Sequence, residues 1–302
     1  MHVLLCLAGL AVGSSIPAAE QAIARGDYRG ALEILAKVET RSAAWHVAAS
    51  RAYDGLEDPA RAVEEAEKAL SLEPRNLAAH LQLAGIFLSR NTPQAALEIY
   101  SEAESLFPKN LLIQLGKGLA LKELGRYEEA ERELLACLTG HPGFALAFDA
   151  LATIYLHQLR HAELKTLAEQ FLKHNQLDYR GYYFLAAALE GLEEEPEEIH
   201  QLLNTSLQHN ERFAAAYALR GKLFLRQGAI DQAISALQRA VQLRPDLAQA
   251  HLQLAQAYRK AGDEASAQRH FAVVREIKQR ELVPRPSLRY RRSGQPGTAV
   301  QK

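Results

Sequence analysis

The sequence predicts an all-α fold, a solenoid of stacked antiparallel helix pairs. Two observations carry that prediction. Prolines recur at a fixed interval, with Pro74, Pro108 and Pro142 lying 34 residues apart. Self-similarity at such a period is the mark of a repeat architecture. Each period also divides into two runs whose apolar and small residues fall three or four apart, the spacing of one helix face. The clearest copy covers residues 214–247. A helix is predicted there from about Ala214 to Gln227, broken by Gly228, and a second from about Asp231 to Leu243, stopped by Pro245. Proline ends a helix because it lacks an N–H and disfavours helix in the residue before it.

At the N-terminus, Val3 to Val12 is a nearly unbroken apolar run. A run of about 10 residues falls short of the roughly 20 that a helix needs to span a bilayer. It does match a secretory h-region, with Ala11-Val12-Gly13 offering small residues for cleavage, so residues 1–13 are expected to be a signal peptide. The chain would then be exported, to a periplasm or outside the cell, with no membrane span in the mature form. The preceding Met1-His2 carries no Lys or Arg. Without a functioning signal, the run is a buried first helix and the protein is cytoplasmic. Cys6 and Cys137 are the two cysteines, too few for a disulfide framework.

Residues 14–282 are expected to form the array: a degenerate first repeat over about 17–42, then seven repeats over about 43–281. In the degenerate repeat, Gly26-Asp27-Tyr28 is the turn, and Ala31, Leu35 and Val38 form the second-helix stripe. The first full unit carries Ala49, Tyr53, Ala62, Ala66 and Ala69, and the second Leu83, Phe87, Ala96, Tyr100 and Ala103. The third uses Gly118, Leu121, Ala130, Leu134 and Cys137, where Cys137 serves as a small buried side chain. The fourth has Phe148, Leu151, Tyr155, Leu164 and Phe171. The fifth is the most divergent, with an acidic turn from Leu192 to Glu198. Tyr182 and Tyr217 are 35 apart, which places one inserted residue between the fifth and sixth units. In the sixth, Gly221 and Ala233 are small so that the two helices approach closely. The seventh carries Leu254, Tyr258, Ala267 and Phe271. One pair cannot bury its own apolar face, so pairs must stack, and at least three are needed. Residues 283–302, rich in Pro, Gly and Arg, are expected to be a disordered basic tail.

Taken together these residues resemble the tetratricopeptide repeat. That family's unit is small at its eighth position, aromatic at its eleventh, Ala at its twentieth and twenty-seventh, and Pro at its thirty-second. The opening Trp of the family pattern is replaced by His46, His80, Gln114, Phe148, Tyr182, Tyr217 and His251. The resemblance implies a right-handed superhelix and a non-catalytic scaffold that binds a protein or peptide in a concave groove. The alternative is an accessory subunit that positions substrate for a separately encoded enzyme. By the resemblance, groove positions on the first helices hold Leu81, Leu88, Leu112, Leu115, Leu119, Leu146 and Leu156 in the middle units. Towards the C-terminus they hold Lys222, Arg226, Gln249, Gln256, Arg259 and Lys260. A fitting ligand has hydrophobic anchors and an acidic end. The basic clamp of chaperone-tail binders is absent, since its places hold Val47 and Arg51, Leu81 and Gly85, and Leu115 and Leu119.

Catalytic and cofactor chemistry finds no support in the sequence. His157 and His161 are four apart but enclose Gln-Leu-Arg, with no Glu to act as base, and read as surface histidines. His46, His80 and His251 recur at one repeat position and read as packing residues. There is no phosphate-binding glycine loop and no Cys-x-x-Cys pair. A net charge of −1 offers no general attraction to nucleic acid, and no nucleic-acid partner, metal or cofactor is expected.

Overall fold

The computed structural model describes residues 15–282; the apolar run at 3–12 and the tail at 283–302 lie outside the described residues. Among the described residues there is no strand. Contacts divide the chain between Glu133 and Leu134 into two compact units. The first holds α1 (15–24), α2 (Tyr28–Ala36), α3 (Ala43–Gly55), α4 (Pro59–Leu72), α5 (Leu77–Ser89), α6 (Pro93–Leu106), α7 (Leu111–Glu123) and the start of α8 (Tyr127–Gly140). The second holds the rest of α8, α9 (Ala145–His157), α10 (His161–His174), α11 (Tyr179–Gly191) and α12 (Pro196–His209). It continues with α13 (Ala214–Gln227), α14 (Ile230–Leu243), α15 (Ala248–Lys260) and α16 (Glu264–Leu282). Each unit is a solenoid segment of stacked antiparallel pairs. The observed α13 has the bounds the sequence predicts, and α14 begins one residue before the predicted Asp231.

The turn inside each pair has one repeated geometry. Gly26, Glu57, Asn91, Gly125, Leu159, Glu193, Gly228 and Gly262 all take positive φ, between 57° and 83°. This left-handed residue lets the next N–H reach back five residues, as in Ala229 to Phe224 at 2.9 Å, Asp58 to Tyr53 at 2.9 Å and Arg160 to Tyr155 at 2.8 Å. Those bonds satisfy carbonyls that a helix end otherwise leaves orphaned. Only four of the eight positions are glycine, the residue that adopts this backbone without strain. The extra residue of the fifth unit is not between units, as the spacing of Tyr182 and Tyr217 suggested. It lies inside the acidic turn, where four residues, 192–195, separate α11 from α12; three, 56–58, separate α3 from α4. An exposed turn absorbs an insertion that a packed helix would transmit as a shift of face.

Three of the seven side chains standing where the family has Trp clasp the preceding turn. His80 Nε2 donates to the Pro74 carbonyl at 3.0 Å and His251 Nε2 to the Pro245 carbonyl at 3.0 Å. The Tyr182 hydroxyl donates to the Gln176 carbonyl at 2.8 Å. Each bond reaches six residues back, so it ties the start of one pair to the end of the pair before it. His46 differs: its Nδ1 meets Glu65 Oε2 at 2.6 Å, with both side chains buried. Trp45, which the repeat pattern does not single out, closes the first core cluster beside Ala31 and Leu35 and donates its Nε1–H to the Leu35 carbonyl at 2.9 Å.

Packing follows the expected stripes. Phe148 of α9 stacks on Phe171 of α10, with ring centroids 3.8 Å apart, and meets Phe184 of α11 edge-on at 5.6 Å. Cys137 is fully buried. A Cβ added at Gly221 would overlap Leu237, so the close approach of α13 and α14 depends on glycine there. The surface reading of the paired histidines holds for His157 alone. His161 is half-buried against Gly191, and its Nδ1 is enclosed without a hydrogen-bond partner.

Candidate binding cleft on the first helices

The first helix of each pair presents one face that its own second helix does not cover. In the first unit this face carries Leu81 and Leu88 of α5, both half-buried. On α7, Leu112 is 48% exposed and Leu119 is half-buried, whereas Leu115 is only 7% exposed and is spent on packing. The charged residues nearby are engaged. Arg51 forks onto both oxygens of Glu20 at 2.9 Å, and Lys117 lies between Glu104 and Glu133.

In the second unit Leu146 is 56% exposed at the start of α9, and Leu156 is half-buried near its end. Leu156 lines a cleft of about 300 Å³ to which α11, α13 and α15 also contribute. Tyr183, Ala187 and Glu190 come from α11, and Ala215, Ala218, Leu219 and Lys222 from α13. Arg244 and Leu247, in the turn before α15, and Gln249 and Gln253 of α15 complete the lining. Leucine and alanine make half of the wall, and charge is confined to Glu190, Lys222 and Arg244. Burial pushes the Tyr183 hydroxyl up to about 12, against the pull of the Arg244 charge. Gln253 is 7% exposed, and its Oε1 has no hydrogen-bond partner.

The cationic end is less free than the sequence implied. Lys222 and Arg226 both reach Glu190, at 2.7 and 3.3 Å. Arg244 is 3.9 Å from the exposed Asp246, a loose pairing. Arg259 and Lys260 are exposed at the end of α15, where Arg259 lies over the Phe271 ring at 5.9 Å. Of the residues picked from the sequence, the cleft brings together Leu156, Lys222 and Gln249. Tyr183, Ala187 and Glu190 occupy the fifth, ninth and twelfth positions of the divergent fifth unit, so carrying the repeat register through that unit finds them. Leu219 and Gln253 share the sixth position, and Arg244 and Leu247 belong to a turn; the register of groove positions points to none of these four. Among the described residues no group of three or more His, Cys, Asp or Glu side chains is placed to hold a metal ion, and no helix is long and apolar enough to cross a membrane.

Comparison with known proteins agrees with this geometry. Family profiles described as tetratricopeptide repeat match residues 47–110 and 113–139, and one described as TPR repeat matches residues 221–262. No curated protein matches the chain. Among solved structures, a tetratricopeptide repeat protein from Parabacteroides merdae superposes with a TM-score of 0.66 at 19% identity, over 79% of this chain and 94% of that one. A chain of the APC/C hetero-tetramer Cut9–Hcn1 gives a TM-score of 0.63 at 16% identity, over 79% of this chain and 48% of that one. Pseudomonas aeruginosa PilF gives 0.57 at 24% identity, over 68% of this chain and 93% of that one. At these identities the likeness is one of fold.

Proposed function

Because the chain is a tetratricopeptide-repeat protein, and so a protein-interaction scaffold, we propose that it holds a segment of a partner protein in the first-helix cleft of its second unit. The fold is in general a non-catalytic one. The observation that carries the reading is the cleft itself, where side chains from four first helices and one turn converge on an apolar wall with a charged rim. Apolar surface gives association its driving force, and charge at a rim selects and steers the partner. Lys222 and Arg244 favour an acidic residue in the bound segment, which competes with Glu190 for Lys222.

Lys222 and Arg244 are both exposed, so reversing their charge leaves the packing intact. Affinity capture from native extract, with the full chain and with Lys222→Glu/Arg244→Glu at equal helicity by circular dichroism, tests the proposal. A partner kept by the first and lost by the second is the expected result. Equal retention by both overturns it and moves attention to another cleft, lined by Tyr217 and Arg220 of α13 together with Ser235 and Arg239 of α14.

A further inference from the structure

Gln253 is the side chain in the cleft that the fold alone does not account for. It lines the apolar wall, is 7% exposed, and its Oε1 is enclosed without a donor. Buried polar groups in folded proteins nearly always have a partner, because leaving one unmade forfeits the hydrogen bond it had with water. The terminal torsion of a glutamine is soft, so a small rotation turns Oε1 towards whatever fills the cleft.

The rest of the wall narrows what that occupant is. A volume of about 300 Å³ is at the small end for a ligand site and suits one bulky side chain. Leu156, Leu219, Ala187 and Ala218 offer apolar contact, and Tyr183 offers an aromatic ring. The occupant must therefore be largely apolar yet carry one hydrogen-bond donor. Lysine and arginine carry donors but meet Lys222 and Arg244 at the rim. Tryptophan and tyrosine combine an apolar body with a single polar tip and lose little conformational freedom on binding. Resting on the scaffold reading above, we infer that the cleft takes one tryptophan or tyrosine side chain of a partner segment, with Gln253 Oε1 accepting its N–H or O–H.

The test uses the full chain, 15N-labelled, and four probes. These are N-acetyl-tryptophanamide, N-acetyl-tyrosinamide, and the same two molecules methylated on the indole nitrogen or the phenol oxygen. The expected result is a shift of the Gln253 side-chain amide and of the Leu219 and Ala187 backbone amides with at least one unmethylated probe, and binding about tenfold weaker for its methylated counterpart. Gln253→Leu, checked for helicity, is expected to bind each methylated and unmethylated pair equally. Equal affinity within both pairs for the unaltered protein, or no shift in the cleft at millimolar probe, overturns the inference. If the probes fail while partner capture still depends on Lys222 and Arg244, the aromatic anchor is wrong and the scaffold reading stands. If the probes bind as expected while capture is unaffected, the scaffold site is elsewhere and the inference is reduced to a small-molecule pocket, which also overturns it.

Discussion

Glu65 is 8% exposed and faces His46 at 2.6 Å and Lys68 at 2.8 Å. Burial on its own pushes its carboxyl up, but the hydrogen bonds from Lys68 and His46 outweigh it and hold the group below its usual 4.5. A depressed carboxyl adds stability above its unfolded pKa and loses it as pH falls through the folded value. Urea unfolding between about pH 5 and about pH 3 should therefore show a steeper loss for the natural chain than for Glu65→Gln; parallel curves would contradict this. The same scale sets how far side-chain roles were legible. Leu112 and Leu115 look alike in sequence, yet one is 48% and the other 7% exposed. Glu190 was equally hidden, since its partners Lys222 and Arg226 are 32 and 36 residues away and meet it only when α11 packs beside α13. Gln253 Oε1 stands out only once a cleft surrounds it.

At the scale of elements, the period of 34 made most helix positions readable, because proline and a three-or-four spacing act locally. The turn inside each pair was only partly readable. Gly125, Gly228 and Gly262 announce a left-handed backbone, whereas Glu57, Leu159 and Glu193 adopt it under the pull of the repeated back-bond. These residues bear a steric cost of about 1–2 kcal/mol each, and glycine recovers it less the roughly 0.5–1 kcal/mol of its own flexibility. Leu159 is 72% exposed, so its side chain contributes little packing. Leu159→Gly is accordingly expected to stabilise the protein by about 0.5–1 kcal/mol, and Gly228→Val to destabilise it by more, read as shifts of thermal midpoint. A fall in midpoint for Leu159→Gly would mean that the turn is not strained. The clasp from His80, Tyr182 and His251 to the turn six residues back explains another departure from the family pattern. A polar ring there replaces the bulk of Trp with a directed bond.

For the whole molecule, the fold rests on short-range contacts between neighbouring helices, which is why it was legible and the partner was not. Fold depends on a pattern repeated seven times, whereas a binding site depends on single residues that break it, such as the turn residues Arg244 and Leu247. The central claim, that the second unit holds its partner on the first-helix face, is tested most directly by contact. A photo-reactive benzoylphenylalanine placed at Lys222 or Gln249 faces the cleft, and one at Gln232 or Ser235 faces the second-helix surface of α14. All four positions are exposed, so the probe perturbs none of the packing. After irradiation in native extract, Lys222 and Gln249 are expected to yield the same discrete protein adduct, with none from Gln232 or Ser235. Adducts from Gln232 and Ser235 in place of the cleft positions, or from all four alike, would contradict the account.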